Sequence, residues 1–200
     1  MDRLPRNRYV LFLLPAVLGC AIDLATKHSM FAWPELRAGQ TYWFWTGHVG
    51  LQLSWNEGAL FGMGQGKVWL FAALSVAAAI GIPLWLFRFG AARDAWLTVA
   101  LGCVMAGVLG NLFDRLGLHG EVWPVGHPRA GETIHAVRDW ILWQANDRWR
   151  WPNFNIADSL LVVGAAVLFF HALRHSSEPA TESPGDKAMS GLHSDAPSSK

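Results

Sequence analysis

Aspartates carry most of the chemistry available to this sequence. Asp23, Asp114 and Asp158 each stand inside or at the end of a long apolar run. A carboxylate at bilayer depth costs about 2.5–3.5 kcal/mol on insertion scales, so it marks a functional site and needs a named partner. Polar companions stand at helical spacing: Asp23 with Lys27, Asn111 with Asp114 and Arg115, and Asn155 with Asp158. Spacings of three and four put such groups on one helix face. Asp23–Lys27 and Asp114–Arg115 therefore read either as ion pairs that hold helix ends together or as parts of a site. Asp158 has no cation within a turn, and Asp139 has only the adjacent Arg138, whose side chain need not point the same way. If those two carboxyls meet in one apolar pocket, one keeps a proton while the other stays anionic. Such a pair can activate water and protonate a leaving amine.

Other chemistries find no support. Cys20 and Cys103 lie in apolar runs without an adjoining cation, which argues against an activated thiolate, a disulfide framework or a zinc cluster. His119, His127 and His135 recur at intervals of eight on a Gly/Pro-rich frame. That spacing fits neither a helix face nor a zinc signature, so no metal and no cofactor are expected. The chain contains neither His-Glu-x-x-His nor Gly-x-Ser-x-Gly.

The elements that must position these residues are membrane helices. Of the 200 residues, 52% are hydrophobic and 16% charged, well below the roughly 25% charged of a soluble domain. The net charge of +1 is scattered and shows no basic face, so no nucleic-acid partner is expected. Four segments approach the 20 or so apolar residues a span requires: about 9–25, 68–87, 95–113 and 155–173. Residues 1–174 then form one membrane domain, and residues 175–200, rich in Ser, Pro, Ala and Glu, a disordered tail. Arg3, Arg6 and Arg8 before the first span, with Arg88 and Arg93 between the second and third, favour both termini inside. Alternating spans bring the end of the first, the end of the third and the start of the fourth to one face, gathering Asp23, Asp114, Asp139 and Asp158 at one depth.

In the first outer loop, 28–67, alternation in 41–46 and 49–55 predicts short strands. Nine of the twelve tryptophans fall in the two outer loops. They place those loops on the membrane surface or form the core of a small soluble cap.

Five segments are similar to motifs of bacterial lipoprotein signal peptidase (signal peptidase II), in that family's order: Asp23–Lys27, Asn56–Gly62, Gly110–Arg115, Val137–Ile141 and Phe154–Ser159. The resemblance implies an all-α membrane protein with four transmembrane helices, a small extracytoplasmic β-sheet cradle and a mobile surface loop over the active site. It implies an aspartic endopeptidase of the bacterial inner membrane, a monomer amid membrane lipid. Its substrates would be diacylglyceryl-modified prolipoproteins, cut before the lipidated cysteine. Asp139 and Asp158 match the catalytic pair. Asn111, Asp114, Arg115 and Asn155 match residues that support the site or contact substrate, and Asp23, Lys27, Asn56 and Gly58 match polar positions around it. The chain departs from the family pattern at Leu60 (usually alanine), at Arg138 (usually valine), and in the 23 residues between Arg115 and Asp139.

Two other readings stand beside this one. Val17-Leu-Gly-Cys20 loosely imitates the cleavage box of a lipoprotein, but three further spans follow it. A proton-relaying transport subunit would distribute its acids through the bilayer, whereas these collect at one face.

Overall fold

A computed structural model describes residues 4–58, 63–146 and 148–176. The expected tail, from residue 177 onward, and residues 59–62 of the second motif lie outside the described residues. Four helices are long and apolar enough to cross a membrane. They are α1 (Asn7–Ala32), α3 (Val68–Pro83, prolonged by a wider π turn, Leu84–Arg88), α4 (Ala95–Arg115) and α5 (Ile156–Ser176). A single turn, α2 (Pro34–Arg37), follows α1. Pro83 supplies no N–H to the helix ahead of it, and the π turn begins directly after it. Gly90, at φ 83°, makes the reversal that leads to Asp94, whose carboxylate caps α4 by accepting from Leu97 N at 3.0 Å.

α4 is the central helix, packed against α1, α3 and α5, while the other spans turn leucines, valines and aromatics outward. Small residues make that position possible. A Cβ on Gly107 would lie 2.5 Å from the Ala157 carbonyl oxygen, and one on Gly110 would strike the Asp23 carboxylate. Glycine at both positions lets backbones approach closely, as helices in lipid require. The same approach carries polar side chains of α1 and α5 to the end of α4.

At that end stands one antiparallel sheet in the order β1-β2-β3-β4: β1 (Tyr42–Trp45), β2 (Val49–Asn56), β3 (Val137–Asn146) and β4 (Trp149–Phe154). β1 and β2 occupy the expected places. Two expectations need correction. The sheet is not built from the first outer loop alone, because the second loop supplies half of it. Asp139, around which the resemblance places the mobile surface loop, stands on β3, opposite Ser54 of β2. The pairing satisfies backbone N–H and C=O groups that a buried loop would leave bare. No described tryptophan is fully buried, so the sheet is not a cap around a tryptophan core.

α1 also runs past its expected end at residue 25 to Ala32, because the charges at Asp23 and Lys27 are satisfied inside the protein. α5 runs to Ser176, taking in the first two residues assigned to the tail. The extra stretch between α4 and β3 folds back on itself through a Val122–Thr133 bridge. Two ion pairs fasten it, Arg37–Glu121 at 2.8 Å and Arg129–Glu57 at 2.6 Å.

Candidate active site

The N-terminus of α5 organises the site. Asn155 caps that helix: its Oδ1 accepts from Asp158 N at 2.9 Å, and Asp158 Oδ2 accepts from Asn155 N at 3.3 Å. This reciprocal arrangement satisfies two of the backbone donors that a helix start leaves unpaired. Ala157 N donates to Asp23 Oδ1 at 2.8 Å, so α1 supplies a further cap. Asp23 thus fixes where α5 begins, and the capping geometry fixes where Asp158 points.

Lys27, fully buried, is the central cation. Its ammonium reaches Asp23 Oδ2 at 2.7 Å and Asp114 Oδ2 at 3.1 Å, and donates to Asn111 Oδ1 at 2.9 Å. Gly110 O is a fourth, longer contact at 3.5 Å, so the three donors of the ammonium are fully engaged. Asp114 is held from its other side by Arg138, whose Nε and Nη2 donate to Oδ1 at 3.0 and 2.8 Å and whose backbone N donates to Oδ2 at 3.0 Å. The expected Asp114–Arg115 pair is not formed. Neighbouring residues on a helix diverge by about 100°, and Arg115 Nη2 instead donates to Gly58 O at 3.0 Å.

The other two aspartates take their hydrogen bonds from neutral groups. Asp139 Oδ1 accepts from Asn155 Nδ2 at 2.7 Å and its Oδ2 from Asn56 Nδ2 at 3.0 Å. Asp158 Oδ1 accepts from Asn111 Nδ2 at 2.8 Å. Asn155 therefore touches both carboxyls, and the structure brings together the two acids for which the sequence offered no cation at helical spacing. Both are buried. The Asp139 carboxyl is held well above its ordinary value of 3.8, first by burial and then by the Asp158 charge, against the hydrogen bonds from Asn56 and Asn155.

Charge counting leads to the same place. Among the described residues the buried carboxyls are Asp23, Asp114, Asp139 and Asp158, and the buried cations are Lys27, Arg115 and Arg138. Four acids face three bases. One proton retained by the Asp139–Asp158 pair makes the cluster neutral.

A family model described as Signal peptidase (SPase) II matches residues 15–174. The chain belongs to that family. Among its relatives, a lipoprotein signal peptidase of Rhodopirellula baltica is 49% identical over 184 residues, covering 92% of this chain and 80% of that one. A second, from Pseudomonas fluorescens, is 35% identical over 161 residues, covering 76% and 81%. A bacterial membrane enzyme solved by the in meso method at 2.3 Å shares the fold, with TM-score 0.67 at 23% identity over 85% of this chain and 92% of that one. Another, solved at 1.9 Å, gives TM-score 0.61 at 25% identity over 80% and 90%. As a signal peptidase II, the chain is a membrane enzyme of the aspartic type, and its four apolar helices make it a multi-pass protein of the bacterial inner membrane. All five motifs fall inside the matched segment.

Sequence reasoning placed every residue of this cluster except Arg138, which it treated only as a departure beside Asp139. Its real partner, Asp114, lies 24 residues away, and the packing of β3 against the end of α4 brings them together. The three histidines are separately engaged: the Nδ1 atoms of His119 and His127 accept from the backbone N–H groups of Glu121 and Arg129, and His135 Nδ1 lies 3.1 Å from Arg115 O.

The raised Asp139 carboxyl has a measurable consequence. Folding favours its protonated form, so this contribution to stability is complete below pH 3.8 and is lost as pH rises through the raised value. The unfolding temperature of Asp139→Asn in detergent should therefore gain on that of the unsubstituted protein as pH rises. Parallel stability profiles across that range would contradict the shift.

Proposed function

We propose that Asp139 and Asp158 are the catalytic pair of an aspartic endopeptidase that removes signal peptides from diacylglyceryl-modified prolipoproteins, cutting before the lipidated cysteine. The observation that supports this reading best is Asn155, which donates to Asp139 and caps against Asp158, while among the described residues no cation bonds either carboxyl. The ionised carboxyl takes a proton from water as its oxygen attacks the scissile carbonyl. The protonated one donates to the carbonyl oxygen as negative charge develops there, and a proton then passes to the departing amine of the lipidated cysteine. Asn56, Asn111 and Asn155 fix both carboxyls by neutral hydrogen bonds, so their charge stays available for the reaction. Lys27, Asp23, Asp114 and Arg138 form the ionic frame that holds the helix ends and β3 in place. Arg115 and Gly58 support the turn that follows Asn56.

In this reading both termini are cytoplasmic and the pair lies near the extracytoplasmic face. The sheet rests on that membrane surface as a cradle for substrate, with the loop segments beside it covering the site. The enzyme acts as a monomer in lipid. Exposed aromatics such as Phe44, Trp45 and Trp149 suit the headgroup level, where an amphipathic ring is half apolar and half wet.

The test is cleavage of a diacylglyceryl-modified prolipoprotein by the purified protein, with the unmodified precursor as control. Cys20→Ala/Cys103→Ala should keep near-full turnover, because neither thiol belongs to the buried cluster. Loss of turnover in a folded double variant would overturn the two-carboxyl mechanism.

A further inference from the structure

A polar cleft of about 210 Å³ opens from Asp139 along the sheet, lined by Ser54, Asn56, Gln65, Arg150 and Asn153 among others. Ser54 and Asn56 of β2 line it next to β3, where the cross-strand partner of Ser54 is Asp139, and β2 shifts register between Leu51 and Ser54. At the end away from Asp139 stands Arg150 of β4. Its Nη2 donates to Gln52 Oε1 and, at 2.9 Å, to Asn153 Oδ1. Gln52 is in turn fixed by Thr41, to which its Nε2 donates at 2.9 Å, and Asn153 Nδ2 donates to Gln52 O at 2.8 Å. The guanidinium is thus oriented by neutral amide oxygens, and among the described residues it pairs with no carboxylate. An oriented cation with its charge unspent, on the wall of a cleft, is a receptor for an anion.

We propose that Arg150 selects substrate by receiving an acidic side chain in the segment that follows the lipidated cysteine. This rests on Asp139 and Asp158 as the cleaving pair. The apolar signal peptide belongs against the apolar spans, whereas this cleft is formed by sheet residues beyond them, so it receives the other side of the cut. Asn56, which holds Asp139, and Gln52, which holds Arg150, stand four residues apart on β2, at most about 13 Å of strand. Asp139 and Arg150 line the same cleft, so an extended substrate lying in it presents a residue within about four of the cut to the guanidinium.

The experiment uses the full chain in lipid and diacylglyceryl-modified substrates that differ only in carrying Glu, Gln or Lys at the second, third or fourth position after the cysteine. At one of those positions the unsubstituted enzyme should prefer Glu to Gln by about three- to tenfold in kcat/KM, with Lys the poorest. Arg150→Lys should keep that order, Arg150→Gln should bring the Glu-to-Gln ratio close to one, and Arg150→Glu should invert the Glu-to-Lys ratio. Equal cleavage of all substrates by the unsubstituted enzyme overturns the proposal while leaving the peptidase reading intact. So does an Arg150→Gln variant that lowers all rates but keeps the Glu-to-Gln ratio, since that is a merely structural effect. Failure of the unsubstituted enzyme to cut any of them overturns the cleavage assignment itself, and this proposal with it.

Discussion

Asp139→Asn and Asp158→Asn should each lower single-turnover cleavage by on the order of 10⁴-fold, and the double substitution should be little worse than either alone. The reason is that the pair acts as a unit. One carboxyl must accept a proton from water while the other donates one, and an asparagine can do neither. Non-additivity follows because once one member is gone the other has no partner for its half of the proton traffic. Substrate binding should survive, since an asparagine keeps the size of the side chain. Each substitution also presents one acceptor to groups that now meet two carboxyl oxygens: Asn56 and Asn155 at Asp139, Asn111 and the Asn155 backbone at Asp158. A modest stability change should therefore accompany the catalytic loss without unfolding the protein. Multiplicative losses in the double variant would mean that the two carboxyls act in separate steps.

Lys27→Met should produce the largest loss of stability. Removing one partner of a buried ionic cluster costs about 3–5 kcal/mol, because uncompensated charge is left in a medium that cannot solvate it. Asp114 would keep Arg138, but among the described residues Asp23 would keep only its bond from Ala157 N. The cost should therefore concentrate on Asp23. Adding Asp23→Asn to Lys27→Met should raise the unfolding temperature in detergent, whereas the same change in the unsubstituted protein should lower it. That reversal of sign separates a charge effect from a packing effect. If Asp23→Asn were destabilising in both backgrounds, Lys27 would matter through its volume and not through its charge.

Much of this site was legible in the sequence because its parts are local. A carboxylate in an apolar run is visible at Asp23 and Asp158, and helix alternation places both at one face without knowledge of any contact. The absence of a cation at helical spacing from Asp158 already set it apart from Asp23. What escaped was non-local. Arg138 stands next to Asp139 in the chain but is turned by β3 toward Asp114, and no spacing rule reports a pair that forms only when a strand packs on a helix end. Arg115 was matched to Asp114 by adjacency, yet adjacent helix residues point in different directions and Arg115 reaches the turn after β2. The end of α1 was placed too early for a related reason. The apolar run was ended at residue 25, before Lys27, although Asp23 and Lys27 satisfy one another and leave the helix free to continue. β3 was missed as a strand because its run, Val137–Asn146, follows a Gly/Pro-rich stretch and is buried at its start, which hides the period-two signal.

The most direct measurement sets Asp158→Asn against Asp114→Asn, with single-turnover cleavage of a diacylglyceryl-modified prolipoprotein and the unfolding temperature recorded for each. Both carboxyls are buried in one cluster, yet Asp114 is bonded by Lys27 and Arg138 while Asp158, among the described residues, is bonded only by neutral donors. The expected result is that Asp158→Asn abolishes cleavage in a protein that stays folded, whereas Asp114→Asn loses stability and only part of its rate. Substantial turnover in Asp158→Asn, together with a folded but inactive Asp114→Asn, would contradict the assignment and move the catalytic pair to other carboxyls.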